Sequence, residues 1–460
     1  MNNECSNKLI GKWLIKATIE NKTPIIIGTG KQSGWVDTEV IKDEHGNFYI
    51  PGTSFKGALR HFLVENYEVP KDILNIFFGY QDNQALSTFF DLKADKKTVI
   101  NIRDGVAIDI KTNMAKKGAK YDYEIVEPEH VFVLNMELNL FSGHTDSFKK
   151  DLLKLLATIK QILENQNEHF AVGAMTTKGF GVIKLKEFNF LNLNFSNPDD
   201  SKIWFEYILQ NADVFNKKSI DPIDYEPFSV KSNKIFSISA CFKIKSSLLI
   251  GCEPDTNDIA DKVPLKSNGK PVLSGTSLKG VIRSRAIRII NTLNGNGEEL
   301  IKETFGWADT ENTNAENKEA KKIKSRLIVK ETIIENTVEK LKNGIKINRF
   351  TGGTIDSALF NAILLWSKGQ DAVHINLQLK NPKNWEKGLL LLILKDLWTS
   401  DLAIGADKAR GASVLIGSKA EITDGNQSYT LEQKEAHLEI TSDKNKLESY
   451  VTDFINHLNN

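Results

Sequence analysis

Apolar and polar positions alternate from Lys12 to Ile19, as in a half-buried strand, and Pro24–Ile27 carries an apolar stretch into Gly28-Thr29-Gly30. After a loop holding Trp35-Val36-Asp37, the pattern switches at Gly52 to helical spacing through Ala58, Leu59, Phe62 and Leu63, with Thr53 or Ser54 placed to cap the helix. Strands are predicted over 87–93, 130–139 and 182–185, and a helix over 151–164. The order then repeats: strand 236–244, Ser247–Ile250 into Gly251, a loop with Asp261, and a helix from Thr276 with Ile282, Ala286 and Ile289. Strands follow at 324–329 and 373–379, a helix at 388–398 and a strand at 413–416.

Each half therefore reads β-α-β-β-α-β, with a long polar insertion between its second and third strands. The expected class is α+β, two tandem ferredoxin-like or RRM-like domains. The expected divisions are 1–190 and 234–426 for the domains, 191–233 for a linker, and 427–460 for a C-terminal extension ending in an amphipathic helix, Leu447–Leu458. Residues 311–325 are charged and Asn-rich, which predicts a mobile segment. Two domains suit a chain of 460 residues.

The repeat is sharpest at Gly52-Thr53-Ser54-Phe55-Lys56-Gly57 and Gly275-Thr276-Ser277-Leu278-Lys279-Gly280. A glycine-led helix start exposes backbone N–H groups that suit a phosphate, and Lys56 or Lys279 adds charge. A plain capped helix start accounts for the same residues. Two late loops, Gly173–Gly181 and Gly405–Gly411, each set a basic residue, Lys178 or Arg410, just before a glycine that lets the backbone approach a sugar-phosphate chain. Neither is a Walker motif. The insertions, from Asn101-Ile102-Arg103 to Tyr123 and from Lys346 to Phe360, mix basic, glycine and apolar residues. That mixture suits a hairpin that touches phosphates and wedges against bases, or an ordinary solvated hairpin.

Net charge is +1, so no global positive field marks a nucleic-acid partner, although a local groove needs none. Three cysteines without metal spacing argue for a reducing compartment and against a zinc site. The absence of a signal-peptide core or spanning apolar run makes the cytoplasm the expected location and a membrane partner unexpected. The eight histidines form no catalytic or metal-binding grouping. Asp37 and Asp261 are loop acids, and a loop aspartate is commonly a turn former. Chemistry resting on so few protein groups fits RNA cleavage by the substrate's own 2′-hydroxyl.

Taken in order, these motifs resemble the RAMP superfamily, and within it the Cas7 backbone subunits of type III CRISPR effectors, including the fused tandem Cas7 subunits of type III-D-like systems. The resemblance implies a crRNA-binding subunit that cleaves complementary target RNA beside each kink made by a thumb-like insertion. Asp37 and Asp261 match the family's cleavage aspartate, with Mg²⁺ or Mn²⁺ as cofactor. RNA contacts are expected at Gly52, Thr53, Ser54, Lys56, Arg60, Arg103, Gly173, Lys178 and Gly179 in the first half. In the second half they are expected at Gly275, Thr276, Ser277, Lys279, Arg283, Arg349, Gly405, Lys408, Arg410 and Gly411. Cas10-, Cas5-, Cas7- and Cas11-like subunits are the implied partners. A non-catalytic crRNA scaffold is the alternative, and a repeat-processing nuclease a third reading, disfavoured by the lack of a suitable loop histidine.

Two departures weigh on the second site. Asp261 stands one residue closer to its glycine turn than Asp37 does, and Ala412-Ser413 replaces Phe180-Gly181. Asp258 is a competing acid in that loop.

Overall fold

A computed structural model describes residues 8–30, 36–81, 84–109, 112, 114–165, 170–210, 213–218, 221–232, 234–254, 260–308, 322–435 and 437–459. Trp35, Asp258 and most of 311–325 fall outside these. Contacts divide the chain into two units. Unit one comprises 1–102, 123–176 and 180–232, and unit two comprises 103–122, 177–179 and 233–460. Among the described residues no helix is long and apolar enough to cross a membrane.

Unit one is built on β1 (Leu9–Asn21), α1 (Gly52–Asn66), β2 (Ser87–Phe89) and β3 (Leu92–Ala94). The hairpin strands β4 (Ile100–Ile108) and β5 (Ala115–Val126), whose residues 103–122 belong to unit two, come next in the chain, then β6 (Val131–Phe141), α2 (Asp146–Glu164) and β7 (Ile183–Asn194). β6 pairs antiparallel with β1, and β1 with β7, while β2 and β3 add to the far edge of β6. This is the ferredoxin-like order. Alternate residues of β1, including Trp13, Ile15, Ala17 and Ile19, turn to the helices and bury with Phe55, Leu59 and Leu63 of α1 and Leu152, Leu155 and Ile159 of α2.

β7 runs much further than the four residues expected, because it stays paired to β1 through Asn194. The presumed linker also folds. Helix α3 (Pro198–Gln210) covers the other sheet face, where Trp204 and Tyr207 join Leu14, Leu191 and Leu193.

Unit two repeats the plan with β8 (Ile235–Ile244), α4 (Gly275–Thr292), β9 (Leu327–Val329), hairpin strands β10 (Thr337–Ile347) and β11 (Thr354–Ser367), and β12 (Asp371–Lys380). Helix α5 (Asn384–Trp398) and β13 (Leu415–Asp424) complete it. Its sheet runs β9-β12-β8-β13 and continues through β14 (Gln427–Gln433) and β15 (Leu438–Thr441), so the C-terminal residues extend the sheet. Helix α6 (Lys444–Asn459) packs on α5, with His457 stacked 4.9 Å from Trp385 and Tyr450 and Phe454 buried in the core.

Candidate functional site

The two aspartates occupy equivalent positions. Thr38 forms an isolated parallel bridge to Tyr123, and Lys262 forms the same bridge to Ala362. The backbone of Glu124 donates to Thr38 O and that of Ile363 to Lys262 O, both at 2.9 Å. Asp37 and Asp261 thus stand one residue before the point where the loop joins the returning strand of each hairpin. Both are exposed. On the other side, Gly28 bridges Val40 and Gly251 bridges Pro264, three residues beyond each aspartate.

The one-residue discrepancy in spacing to the glycine turn therefore does not displace Asp261. It is absorbed in the next turn. The first half uses Asp43–Asn47, where the Asp43 carboxylate accepts from the N–H groups of His45 and Asn47. The second uses the tighter Asn268-Gly269, both at positive φ (45° and 74°), as a type I′ hairpin turn requires.

The loops are held differently. In the first, Glu124 Oε2 accepts from Val40 N at 3.0 Å and Oε1 from Lys42 Nζ at 2.9 Å. In the second, Asn361 N donates to Asp261 Oδ2 at 2.8 Å, while Asp261 N donates to Asn361 Oδ1 at 2.8 Å. Asn361 corresponds to Asp122, which hydrogen-bonds Asp104; burial, then that bond, pushes the Asp104 carboxyl up.

Among the described residues no group of three or more His, Cys, Asp or Glu is arranged to hold a metal. Each site offers one exposed loop carboxylate, a donor set that suits Mg²⁺ or Mn²⁺ completed by oxygens of a bound nucleic acid.

The glycine turns do something other than wait for phosphate. A Cβ on Gly52 would lie 2.4 Å from Phe89 O and 2.8 Å from Phe90 O, and one on Gly275 would lie 2.0 Å from Lys178 O and 2.7 Å from Val329 O. Glycine is required there because the helix start passes directly beneath backbone carbonyls of neighbouring segments. Neither Thr53 nor Ser54 caps α1. The N-cap is Pro51, and Asp91 Oδ1 accepts from Gly52 N at 2.9 Å. In α4 the cap is Ser274, one residue before the glycine, accepting from Ser277 N. Thr53 is exposed, and Ser54, Thr276 and Ser277 are half-buried.

The motif lysines are tied down as well. Lys56 Nζ donates to Ser87 O at 2.9 Å, and Lys279 Nζ to the matching carbonyl, Leu327 O, at 2.8 Å. Lys279 also reaches Ser325 Oγ and Thr177 O and Oγ1. Burial, followed by the charges of Lys178 and Arg283, pulls its pKa down to about 7.

Arg103, expected on RNA, is instead 3% exposed and forms a bidentate pair with Glu331 at 2.6 and 3.1 Å. A guanidinium committed in this way is not presented to phosphates. Arg60 donates to Asn75 Oδ1, and Arg410 pairs with Asp407 while lying 4.2 Å over the Phe360 ring. Lys178 is half-buried, whereas Arg283, Arg349 and Lys408 are exposed.

The late loops superpose residue for residue in their bonding. Gly173 and Gly405 take positive φ (90° and 111°), with Cβ positions 2.2 Å from Ile26 O and 2.3 Å from Leu249 O. Met175 and Asp407 share φ near 57°, and each loop then makes a 3-10 turn, Thr176–Lys178 or Lys408–Arg410, before Gly179 or Gly411. Ser413 replaces Gly181 at the same left-handed position (φ 69° against 77°). Its hydroxyl compensates by donating to Ala406 O at 2.6 Å and accepting from Leu249 N. The missing glycine leaves the loop's path intact.

Sequence reasoning missed the correspondence between the hairpins. The tips that join β4 to β5 and β10 to β11 have equal lengths, with Ile108 matching Ile347 and Ala115 matching Thr354. Asp109 N donates to Met114 O as Asn348 N does to Gly353 O. Gly105 leaves room for the Tyr121 ring, and Gly344 for Phe360. In this register Arg103 matches Lys342, not Arg349. At the second tip, Asn348 Oδ1 holds the turn and Phe350 is 97% exposed.

A family model described as the RAMP superfamily matches residues 18–184 and 241–415. No curated protein matches the chain.

Proposed function

The chain belongs to the RAMP superfamily, of CRISPR-associated RNA-binding proteins, and from that premise we propose that it is a Cas7-like backbone subunit of a type III effector that cleaves guide-paired target RNA at Asp37 and Asp261. The observation that carries this reading is the matched position of the two aspartates, each exposed one residue before its loop meets the returning hairpin strand. A projecting hairpin that kinks a guide–target duplex would present the displaced nucleotide next to that junction. Base pairing with the crRNA supplies sequence specificity. Arg283, Arg349 and Lys408 are exposed, which supports their contacting RNA phosphates in this reading.

The reaction is attack of the target's 2′-oxygen on the adjacent phosphorus, with the 5′-oxygen leaving in line, giving a 2′,3′-cyclic phosphate and a 5′-hydroxyl. The aspartate accepts the 2′-proton or holds the metal. Mg²⁺ or Mn²⁺, held by that carboxylate and RNA oxygens, would stabilise the developing charge. Cas10-, Cas5-, Cas7- and Cas11-like subunits complete the assembly.

The test is to map the 5′ ends of target RNA cut by the assembled complex. Asp37→Ala is expected to remove one cut and Asp261→Ala the other, each by roughly 10²-fold or more, with guide binding unchanged. Two cuts surviving the double variant would refute the catalytic assignment. A wild-type complex that binds target but makes neither cut in Mg²⁺ or Mn²⁺ would leave a crRNA scaffold.

A further inference from the structure

The outer face of the unit-two sheet is polar, and a cysteine stands in the middle of it. Along β8 the buried positions alternate with Ser237, Ser239, Cys241 and Lys243, and on β12 the same face carries Asn376 and Gln378. Cys241 pairs across the ladder with His374, and its Sγ lies 3.2 Å from His374 Nδ1, although 133 residues separate the two in sequence. The next outer pair sets Asp371 against Lys243, with Ala372 as the extra residue of a bulge. Asp371 Oδ1 is buried and has no hydrogen-bond partner. Its charge is felt at the cysteine: burial, then Asp371, pushes the Cys241 thiol up.

The shared fold does not ask for this pair. The ladder of β8 with β13 slips opposite Cys241 and Phe242, and that of β1 with β7 slips between Thr18 and Ile19, which matches Cys241 with Thr18. In unit one the residue across from Thr18 is Val133. Neither sulfur nor imidazole is therefore needed to build such a sheet.

A plain S–H···N hydrogen bond joins Cys241 to His374 but leaves the buried Asp371 oxygen unexplained, and an ordered water or ion is the usual answer to such an orphan. Thiolate sulfur and imidazole nitrogen are the donors that zinc takes. With Zn–S about 2.3 Å and Zn–N about 2.0 Å, two such atoms of a tetrahedral site stand about 3.6 Å apart. The observed pair needs to open by only a few tenths of an ångström to admit the ion.

We propose that Cys241 and His374 bind Zn²⁺ on the outer face of the unit-two sheet, with water completing the tetrahedron and the Asp371 carboxylate accepting from that water. As the Zn–S bond forms, the thiol proton passes to solvent, and the ion ties β8 to β12 through their side chains. Two protein donors accord with the lack of any three-residue metal cluster among the described residues. The site shares no residue with Asp37 or Asp261 and does not depend on RNA cleavage.

The test is titration of the reduced, untagged full chain with Co²⁺, without RNA. Cobalt accepts the same donors and reports a bound thiolate by a sulfur-to-metal charge-transfer band in the near ultraviolet. The wild type is expected to develop this band and to lose it when Zn²⁺ displaces cobalt. Cys5→Ser with Cys252→Ser should keep the band, and Cys241→Ser should abolish it. His374→Phe should weaken cobalt binding by more than about tenfold, and Asp371→Asn by about tenfold. Asp37→Ala with Asp261→Ala should leave the band unchanged. Metal-free thermal unfolding, expected to match wild type in each variant, separates loss of a ligand from loss of the fold. A wild-type chain without the band, a band that survives Cys241→Ser, or binding indifferent to His374→Phe would overturn the proposal.

Discussion

Removing Glu331 tests whether the hairpin residues 103–122 are held in unit two by one buried ion pair. The Arg103 side chain is 3% exposed and that of Glu331 6%, and two hydrogen bonds join them. In Glu331→Ala the guanidinium either stays buried without its counter-charge or leaves its seat, and breaking a buried pair from one side costs about 3–5 kcal/mol. At about 1.4 kcal/mol per decade, local opening of the hairpin should rise by roughly two to three and a half decades. The assay is amide hydrogen exchange followed in peptides covering 100–108 and 115–126, with peptides from β12 and β13 as internal controls. Arg103→Met with Glu331→Leu removes both charges and keeps apolar volume, so it should return most of the protection, because replacing a buried pair by packed hydrophobes is often near neutral. If Glu331→Ala changed hairpin protection by less than about twofold, the pair would not be holding the hairpin.

Other substitutions probe the repeated turns. Ser413→Ala loses both hydroxyl hydrogen bonds yet keeps the left-handed backbone, and should cost about 1–3 kcal/mol by urea denaturation; Ser413→Gly loses the same bonds but relieves the backbone and should fall between it and wild type, an order that a less stable glycine variant would refute. Gly52→Ala drives a Cβ to 2.4 Å from Phe89 O, so unit one should lose about 1–3 kcal/mol or fold poorly; an alanine variant as stable as wild type would show that the strand gives way. Lys279 has a pKa near 7 in the folded chain, whereas an unfolded lysine holds its proton to about 10.4. Between those values the unfolded state binds more protons, so wild-type stability relative to Lys279→Met should rise as pH increases above about 7, by at most about 1.4 kcal/mol per pH unit. A flat difference between pH 6 and 9 would contradict that environment.

What the sequence made legible follows from what steric exclusion preserves. Gly52 and Gly275 recur because any side chain at either would strike a carbonyl oxygen, and Gly173 and Gly405 recur for the same reason. The repeat could thus be read from glycines, and it paired Asp37 with Asp261 despite a one-residue offset whose cause, a shorter turn, emerges only from the folded hairpin. Charged residues follow a different logic. Whether a lysine or arginine faces solvent or a carboxylate depends on what the fold brings across from it, and Glu331 is too distant in sequence from Arg103 for any local pattern to couple them. The hairpins illustrate the same limit. Register is a property of paired backbones, and the likeness of Ile102–Ile108 to Leu341–Ile347 shows only once Gly105 is set against Gly344. A composition reading therefore set Arg103 beside Arg349 as RNA contacts. The register assigns Lys342 instead, and one expected RNA contact becomes a tie inside unit two. The consequence reaches the aspartates: each sits one residue before its loop joins a hairpin strand, so whatever fixes the hairpin also fixes where the aspartate stands beside it.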